Sequence, residues 1–353
     1  MLCALIMAGG KGERFWPLST DEKPKQFLKL LGEETMIHMT VKRIEKLIPI
    51  ERIFVVTAEI YTDLVKEQLP NLPQENIIIE PIGKNTAPCI GLSAFIIEKK
   101  YKDSSIIVVP SDHLIVDEEK FREIIKTSYN FIQDKEDAIV TLGMKPDRPE
   151  TGYGYIQYVE DKEQSEVNGL NVFKVMRFVE KPNLQKAQEY IRVGNFLWNG
   201  GMFIWKCSTV IKLMKEYLNN TYKVLSEIAA TSEGDFNKVL AKKYCEVENV
   251  SVDYGIMEKA ENIYVIPSDF GWDDIGTWRA VERYREKDDN NNVYVGDIKN
   301  IEGHNNIVMG KEKPIVVVGL EDIFVVESDE IIFVGKKKDI ERIKELKKKI
   351  CVH

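Results

Sequence analysis

Residues 2–18 read LCALIMAGGKGERFWPL, and the rest of the chain can be interpreted around this stretch. It opens with an apolar run of strand length, which suits the centre of a parallel sheet that is buried on both faces. Gly9, Gly10 and Gly12 follow at once. Glycines let the backbone turn sharply and bring its N–H groups close to a bound anion, because no Cβ stands in the way. The stretch therefore predicts a phosphate-binding loop at the end of a buried strand.

Positive charge lies on both sides of this loop. Lys11 and Arg14 belong to the turn, and Lys23 and Lys25 follow in a Lys-Pro-Lys sequence. Two common phosphate loops do not match. The Walker pattern ends in Gly-Lys-Ser/Thr, and the dinucleotide fingerprint needs a third glycine where this chain has Phe15. For the three glycines taken alone, an ordinary strand-to-loop turn remains the alternative.

Composition limits the function classes. The chain has 353 residues, 44% of them hydrophobic and 30% charged, which suits about two globular domains. Its formal net charge of −8 argues against general nucleic-acid binding, so a phosphate site must rely on local cations. No apolar run approaches the roughly 20 residues that cross a bilayer, and the N-terminus lacks the features of a secretory signal. Scattered cysteines without a Cys-x-x-Cys pair predict a reducing, cytoplasmic compartment.

The first hundred residues alternate between strand and helix patterns. Apolar strands are predicted at 53–56, 76–79 and 106–109, and helices at 60–69 and 88–101. This alternation predicts an α/β fold with a mostly parallel, Rossmann-like sheet flanked by helices. Ligands on such sheets bind at the carboxyl ends of the strands, where the glycine-rich loop also lies.

The rest of the chain changes its pattern twice. Glycines separate short strands predicted at 155–158, 172–179 and 202–205, and a long helix is predicted at 208–230. After residue 292, closely spaced short strands precede a lysine-rich helix; they are predicted at 306–309, 315–318, 323–326 and 331–334, with the helix at 336–350. We therefore expect a catalytic domain over residues 1–286 and a small C-terminal β domain with a terminal helix over residues 287–353.

Two further loops carry candidate ligand groups. Asn85 and Thr86 lie between a predicted strand and a predicted helix, where they can simply cap the helix. Asp112 directly follows a buried strand, which places its carboxylate where the Mg²⁺ that accompanies a triphosphate can bind. A turn or helix-cap aspartate is the alternative for Asp112 taken alone.

Several motifs, taken in order, resemble the sugar-1-phosphate nucleotidyltransferases. One is the glycine-rich loop that ends in Arg14, and the Pro-Lys-Gln-Phe sequence at 24–27 is similar to the mannose-1-phosphate guanylyltransferase branch of that family. The others are PIGKNTAP (81–88), VPSDH (109–113), ETGYGYI (150–156), FVEKP (178–182), WNGGMF (198–203), SVDYGIMEK (251–259) and DFGWDDIGTW (269–278). The resemblance covers residues 1–285 and, more weakly, the β unit that follows. It implies a nucleotide-diphospho-sugar transferase fold with a β-helix-like C-terminal unit.

The resemblance also implies roles for single residues. Arg14, Lys23, Asp112 and Asp274 become the catalytic residues, and Asp112 and Asp274 become the ligands of Mg²⁺. Asp273 stands where a small polar residue is commoner in the family, and Asp274 fits the Trp-x-Asp-x-Gly pattern. The nucleotide-binding set comprises Ala8, Gly9, Gly10, Lys11, Gly12, Lys25, Asn85, Thr86 and Ser111. In the base-binding loop this chain has Lys84 where an arginine is more usual.

The resemblance also implies which residues bind the sugar phosphate. Glu180 and Asn199 can accept hydrogen bonds from sugar hydroxyls, and Lys181 can pair with the sugar's phosphate. Gly154 allows close approach of a ligand. Asp253 matches a family segment and joins this substrate-binding set without a defined role.

The implied reaction transfers GMP from GTP to α-D-mannose 1-phosphate and yields GDP-mannose and pyrophosphate, with Mg²⁺ as the cofactor. Alternatives are a related enzyme with another base or sugar and, from a different class, a non-catalytic regulatory homologue that binds nucleotide-sugars. Fewer than a hundred residues follow Asp274, so we expect no isomerase activity. The apolar strands after residue 292 exceed what so small a unit can bury alone, which predicts a homodimer contact there.

Overall fold

A computed structural model describes residues 1–10, 12–160 and 165–350 of the chain. Its contacts define two compact units, each assembled from separate stretches of sequence. The first unit comprises Met1–Gly9, Thr40–Ser111 and Ile115–Trp272, and the second comprises Gly10–Met39, Asp112–Leu114 and the chain from Asp273 onward. The domain boundary between residues 286 and 287 stays a prediction. None of the helices in the described residues is both long and apolar enough to cross a membrane.

The helices agree with most of the predicted positions. They are Met36–Glu45 (α1), Thr62–Gln68 (α2), Thr86–Lys100 (α3), Glu118–Asp134 (α4), Leu184–Val193 (α5), Cys207–Tyr217 (α6), Asn219–Ala229 (α7), Glu233–Lys243 (α8), Trp278–Tyr284 (α9) and Ile343–Ile350 (α10). The single helix predicted at 208–230 is wrong, because the backbone leaves helical geometry at Leu218, where ψ is 54°. The predicted C-terminal helix begins as a 3₁₀ turn, Lys337–Arg342, and becomes α-helical only in α10.

The strands also lie at the predicted positions, and further strands occur between them. They are Leu2–Met7 (β1), Ile53–Ala58 (β2), Ile77–Glu80 (β3), Ser105–Pro110 (β4), Leu114–Ile115 (β5), Ile139–Met144 (β6), Tyr155–Tyr158 (β7), Ser165–Val167 (β8), Leu170–Val179 (β9), Phe196–Lys206 (β10), Ile263–Ser268 (β11), Trp272–Asp273 (β12), Val293–Val295 (β13), Ile298–Ile301 (β14), Ile307–Met309 (β15), Ile315–Val318 (β16), Ile323–Glu327 (β17) and Ile332–Lys336 (β18).

The first unit is built on one mixed sheet with the strand order β3-β2-β1-β4-β10-β6-β11-β9-β7. Strands β3, β2, β1 and β4 run parallel to one another, as predicted. Strand β10 is antiparallel to β4, β6 and β7, and β9 is antiparallel to β11, β7 and β8. Strands β6 and β11 are also parallel to each other. Because antiparallel strands separate and follow these parallel groups, the prediction of a mostly parallel sheet is not confirmed for the sheet as a whole.

Short connections explain part of this antiparallel pairing. Strands β8 and β9 are joined by Asn168 and Gly169, whose φ angles are 52° and 79°. Two consecutive residues with positive φ form the type I′ turn of a two-residue hairpin, for which Asn-Gly is the preferred sequence. A hairpin returns the chain antiparallel, whereas a parallel neighbour needs a longer crossover connection. The sequence interpretation treated Gly169 only as a separator between strands and missed this hairpin.

Strands β1, β2 and β4 are buried on both faces, which explains their continuous apolar sequences. Helix α3 packs closely against α6 and α7. Gly91 of α3 permits this approach, because a Cβ there would lie 2.8 Å from the Leu225 side chain and 2.9 Å from that of Met214. The packed core fixes the carboxyl ends of β1 and β4, which carry Ala8 and Ser111.

The second unit contains the C-terminal strands in a stacked arrangement. Strands β13, β15 and β17 are parallel and in register, with Val293, Ile307 and Phe324 at equivalent positions. Its apolar core also includes Phe15 of the glycine-rich loop. The Phe15 ring lies 5.3 Å from that of Trp278, which in turn lies 4.9 Å from that of Phe324. The predicted small β unit is confirmed, and its core anchors the phosphate-binding loop.

Candidate active site

The second unit has a cavity of about 310 Å³ lined by segments that are far apart in the chain. The lining consists of Gly12, Glu13, Arg14, Phe15, Lys25, Asp112, His113, Asp274, Gly276 and Lys344. Five residues predicted for the site thus come together here: Gly12, Arg14, Lys25, Asp112 and Asp274. Cations and carboxylates surround one small volume, as a site for a metal-bound phosphate requires.

The glycine-rich loop can adopt its shape only with glycine at two positions. Gly10 and Gly12 have φ angles of 94° and 56°, in the region that side chains rarely adopt. A Cβ on Gly12 would lie 2.6 Å from the backbone nitrogen of Lys25, so this glycine also permits a close approach between two segments of loop. The Gln26 amide donates a hydrogen bond to the Gly10 carbonyl at 3.4 Å. These contacts bring the loop and the following basic segment into one wall.

Lys25 connects the two carboxylate segments of the cavity. Its Nζ lies 2.8 Å from Oδ2 of Asp112 and donates to the backbone carbonyl of Asp274 at 2.5 Å. The Lys25 side chain is only 8% exposed, so its charge acts in a poorly hydrated place. Burial raises the pKa of the Asp112 carboxyl, but the Lys25 ammonium, His113 and hydrogen bonds to the carboxylate together lower it by more. Asp112 is therefore held ionised, with a pKa below its ordinary value.

The adjacent residues Asp273 and Asp274 have different surroundings. The Asp273 side chain is 4% exposed and accepts hydrogen bonds from Arg283 at 2.6 Å and from Tyr284 at 3.3 Å. It also accepts the backbone N–H of Ile275 at 2.8 Å. Ile275 has a φ of 43°, which is strained for a β-branched residue, and the Asp273 carboxylate holds this turn. Of the two aspartates, Asp274 is the one that belongs to the described lining of the cavity.

Asp112 and Asp274 carry carboxylate oxygens, the kind of ligand that Mg²⁺ prefers. Within the part of the chain that the structure describes, no three His, Cys, Asp or Glu side chains form a metal-binding group. Mg²⁺ is usually held by one or two carboxylates together with substrate phosphates, so a pair of carboxylates on one cavity suits it. The ammonium of Lys25 beside Asp112 shows that this wall already accommodates a cation. The residues present therefore fit a divalent ion that arrives with a phosphate-bearing ligand.

The remaining predicted cations are placed differently. Arg14 lines the cavity, and its Nη1 donates to the Gly276 carbonyl at 3.5 Å. Lys23 is exposed, its backbone N–H bonds to Thr20 Oγ1 at 3.0 Å, and it is absent from the described residues that line the cavity. Lys11 lies outside the described residues. Of the two lysines of the Lys-Pro-Lys sequence, Lys25 is the one among the described residues that line the cavity, and the catalytic role of Lys23 stays a prediction.

The other nucleotide-binding candidates lie in the first unit. Ala8 and Ser111 are buried at the ends of β1 and β4; the Ala8 N–H donates to Val56 and the Ser111 N–H to Met7, at 2.8 Å and 3.1 Å. Gly9 follows Ala8 and is exposed. The backbones of Ala8 and Ser111 are thus each fixed by a neighbouring strand.

Asn85 and Thr86 both take part in starting α3. The side-chain oxygen of Asn85 accepts the Thr86 N–H at 2.9 Å, and Thr86 Oγ1 accepts the N–H of Val252 at 2.8 Å. Lys84 donates to the carbonyl of Cys245 at 2.8 Å. Asn85 and Thr86 therefore have the helix-capping role given as the alternative, and their base-binding role stays a prediction.

The five predicted sugar-side residues form one cluster in the first unit. Asn199 donates to Asp253 Oδ1 at 2.7 Å, and its backbone N–H donates to the Gly154 carbonyl at 2.8 Å. Gly154 lies directly against the Glu180 carboxylate, and a Cβ at this position would force that side chain to move. Lys181 lies 3.5 Å from Glu180 and is 65% exposed. Polar groups that can bind hydroxyls thus converge, with an exposed cation beside them.

Asp253 carries an unusual charge state within this cluster. Burial raises the pKa of its carboxyl, and the nearby Glu180 carboxylate raises it further; the hydrogen bond from Asn199 opposes both. The resulting pKa is about 6. Asp253 can therefore change from a hydrogen-bond donor to an acceptor within a pH range close to neutral.

Two charged residues of the cavity, Glu13 and Lys344, were missed by the sequence interpretation. Lys344 was interpreted as part of the solvated face of a lysine-rich helix, and Glu13 was not considered. Their side chains form an ion pair at 3.2 Å. More than three hundred positions separate them in the sequence, so no local pattern could have indicated the contact.

Comparison with known proteins identifies the class. A family model described as "Nucleotidyl transferase" matches residues 3–291, and one described as "MannoseP isomerase/GMP-like beta-helix domain" matches residues 296–350. The chain belongs to the nucleotidyl transferase family and carries this β-helix domain at its C-terminal end. It is accordingly an enzyme of the nucleotidyltransferase class.

Its relatives narrow the resemblance to one branch. The mannose-1-phosphate guanylyltransferase of Salmonella montevideo is 35% identical over 99% of this chain and 74% of its own length. A crystal structure from Thermus thermophilus, described as a mannose-1-phosphate geranyltransferase, is 31% identical, covers 99% of both chains and has a TM-score of 0.87. One from Helicobacter pylori, described as a mannose-6-phosphate isomerase, is 27% identical, covers 77% of this chain and 99% of its own, and has a TM-score of 0.62. The recognition made from the sequence motifs is confirmed.

Proposed function

We propose that this chain transfers GMP from GTP to α-D-mannose 1-phosphate, giving GDP-mannose and pyrophosphate. The observation that carries the proposal is the cavity where Arg14, Lys25, Asp112 and Asp274 meet from distant segments. The choice of guanine as the base and mannose as the sugar rests on relatives that are named mannose-1-phosphate guanylyltransferases. The chemistry of the cavity supports the reaction class, since cations and carboxylates that suit a metal-bound phosphate face one volume.

The proposed step is an in-line displacement at the α-phosphorus of GTP. An oxygen of the sugar's phosphate forms the new bond, the bond from the α-phosphorus to the bridging oxygen breaks, and pyrophosphate leaves. The attacking oxygen is already ionised, so the protein's task is alignment and charge neutralisation. Two unit charges at 4 Å repel by about 4 kcal/mol at an effective dielectric of 20. The side chains of Arg14 and Lys25 can offset repulsion of this size.

Asp112 and Asp274 would hold Mg²⁺ in this scheme. When bound, the ion would neutralise part of the triphosphate charge and orient its oxygens. Asp112 now balances the charge of Lys25, so this carboxylate suits either cation. Lys25 is the lysine that we assign to the phosphates, and the catalytic role of Lys23 stays a prediction.

The substrate contacts complete the proposal. Glu180, Asn199 and Asp253 accept hydrogen bonds from the sugar hydroxyls, Lys181 pairs with the sugar's phosphate, and Gly154 leaves room for the ring. For the nucleotide we retain the predicted set: Ala8, Gly9, Gly10, Lys11, Gly12, Asn85, Thr86 and Ser111, with Lys25. Asn85 and Thr86 are proposed to lie beside the guanine.

The assembly of the protein is proposed as well. We retain a catalytic domain to residue 286, a β domain after it and a homodimer formed through that domain. Support for the dimer comes from apolar side chains exposed on β16 and β18, including Val316, Val318, Ile332 and Val334. The cytoplasmic location stays a prediction.

A substrate matrix tests the function. The purified chain is incubated with Mg²⁺, each of the four nucleoside triphosphates, and either mannose 1-phosphate or glucose 1-phosphate, and pyrophosphate release is measured. We expect the highest kcat/KM with GTP and mannose 1-phosphate. A preference for another pair would replace this assignment with the related-enzyme alternative. Binding of GDP-mannose without turnover of any pair would favour the regulatory homologue.

A further inference from the structure

Helix α10 lies directly beside the phosphate-binding loop within the second unit. Its first residue, Ile343, is 2% exposed and belongs to the same apolar core as Phe15 of the loop. The next residue, Lys344, therefore projects from an anchored position, and its side chain lines the cavity together with Arg14 and Lys25. A lysine of the last helix is thus part of the cavity to which the phosphates are assigned.

The pairing of Lys344 differs from that of Lys25. Lys25 is almost fully buried and engages Asp112 and Asp274. Lys344 pairs with Glu13 at 3.2 Å, and the two side chains are 51% and 45% exposed. An ion pair between half-exposed side chains is weak and is screened by solvent. Lys344 can therefore exchange Glu13 for a ligand that carries more negative charge.

We propose that Lys344 is part of the binding site for the two terminal phosphates of the nucleoside triphosphate, and for the pyrophosphate that they become. This inference rests on the proposed function. The choice of phosphates follows from the partner of Lys344, because Glu13 belongs to the glycine-rich loop whose backbone N–H groups are assigned to the nucleotide. The cation assigned to the sugar's phosphate, Lys181, belongs to the first unit.

One consequence concerns the role of the C-terminal β domain. Ile343 anchors α10, and Ile340 anchors the 3₁₀ turn before it, in the core of that domain's strands. The domain therefore supplies a ligand-binding charge in addition to structural support. The affinity of the enzyme for its triphosphate then depends on the correct packing of its last helix. We therefore expect changes in the last helix to alter the affinity for the triphosphate and to leave the affinity for the sugar phosphate unchanged.

The test compares Lys344→Met with Lys344→Arg and with Lys348→Met. Lys348 lies one turn further along α10, is exposed, and is not among the described residues that line the cavity. It therefore provides the same change of charge on the same helix. KM is measured for GTP and mannose 1-phosphate in the forward direction, and for pyrophosphate and GDP-mannose in reverse. Binding of magnesium pyrophosphate to each variant is measured by calorimetry, independently of turnover.

We expect Lys344→Met to raise KM for GTP and for pyrophosphate about fivefold, the scale of one exposed charge contact. KM for mannose 1-phosphate and GDP-mannose should change by less than about twofold, because neither carries the terminal phosphates. Lys344→Arg should restore most of the affinity, and Lys348→Met should behave like the wild type. The difference should shrink in about 0.5 M salt, which screens exposed charges.

Unchanged pyrophosphate binding by Lys344→Met, an equal rise in all four KM values, or the same effect from Lys348→Met would overturn the inference. These results are distinguishable from failure of the proposed function. If the wild-type protein does not release pyrophosphate from GTP, the proposed function fails. If the wild type turns over normally and Lys344→Met matches it, only the assignment of Lys344 is wrong.

Discussion

Asp273 and Asp274 are neighbours in the chain, yet their carboxylates face different surroundings. Asp273 is buried against Arg283 and Tyr284, and it holds the strained turn at Ile275. Asp274 faces the cavity. At the scale of single residues, one carboxylate therefore supports the other's position, and substitutions at the two sites should affect different properties.

We expect Asp274→Asn to lower kcat by roughly 10²-fold or more, the scale of losing one well-placed electrostatic group. Excess Mg²⁺ should restore part of the activity by mass action. Asp273→Asn should lose less than about tenfold in kcat, but it should lower the free energy of unfolding by roughly 1–3 kcal/mol, because it weakens charge-assisted hydrogen bonds. Kinetics over a series of Mg²⁺ concentrations, with thermal melts, check both. If Asp273→Asn is the inactive variant, the metal assignment at this turn is wrong.

Lys23 and Lys25 form a second pair, in which the sequence motifs assigned the catalytic role to Lys23. Because Lys25 lines the cavity and pairs with Asp112, we expect Lys25→Met to lower kcat/KM for GTP about 10²-fold. Lys23→Met should change it less than about threefold, since exposed charges contribute little. Steady-state kinetics on the matched variants check this. A larger loss from Lys23→Met would restore the catalytic role first assigned to Lys23.

Substitution of Lys181 tests the proposed binding site for the sugar phosphate. We expect Lys181→Ala to raise KM for mannose 1-phosphate far more than KM for GTP, because its proposed partner is the sugar's phosphate. The side chain is 65% exposed, so its removal should leave the fold intact, and a thermal melt checks this. Equal changes in both KM values would show that Lys181 does not contact the acceptor.

At the scale of secondary-structure elements, the π-helical turn Asp253–Met257 places Asp253 between β10 and the strand end that carries Glu180. π-helical turns are rare and occur frequently at functional sites. Burial of a carboxylate beside a second acid is unfavourable for folding, so the ionised form of Asp253 destabilises the folded protein. The size of this destabilisation depends on pH.

The pH dependence of stability follows from the pKa of Asp253. Its value is about 6 in the folded protein against an ordinary 3.8, so folding favours the protonated form. The contribution of Asp253 to the free energy of unfolding is fully present below its ordinary pKa of 3.8. It is lost as the pH rises through the pKa of about 6 that Asp253 has in the folded protein. We expect Asp253→Asn to exceed the wild type in free energy of unfolding by about 0.5 kcal/mol at pH 4 and by about 3 kcal/mol at pH 7.

Denaturant unfolding at several pH values measures this difference. Asp289→Asn, at an exposed position, serves as the control, and its stability should follow the wild type at every pH. A difference for Asp253→Asn that stays constant between pH 4 and pH 7 would contradict the proposed charge state. Loss of mannose 1-phosphate affinity in the same variant would agree with the proposed contact.

At the scale of the whole molecule, the homodimer is the prediction that concerns the surface. Val316 and Val318 on β16 are 58% and 56% exposed. We expect the wild type to have the mass of a dimer at micromolar concentration, and the double variant Val316→Lys with Val318→Lys to be a folded monomer, because charges on an apolar face oppose pairing. Met176→Lys, at a residue 60% exposed on β9, is the control. Light scattering that finds a monomeric wild type would contradict the prediction.

Local sequence determined much of this protein. The apolar run before Gly9, the strand and helix periodicities, and the small strands after residue 292 all correspond to observed elements, because burial and backbone preference act over a few neighbouring residues. The ordered motifs also sufficed to recognise the family. They placed Gly12, Arg14, Asp112 and Asp274 in segments that the fold brings to one cavity.

Only the tertiary structure decided between neighbours of the same type and between distant segments. Lys25 lines the cavity and Lys23 does not, although the motifs assigned the catalytic role to Lys23, because side-chain direction depends on the backbone conformation of each turn. The antiparallel insertion of β10 between β4 and β6 is likewise set by which strands pair. Lys344 meets the glycine-rich loop through packing of a core whose members lie at opposite ends of the chain. Such contacts depend on the whole fold, so no local pattern in the sequence specifies them.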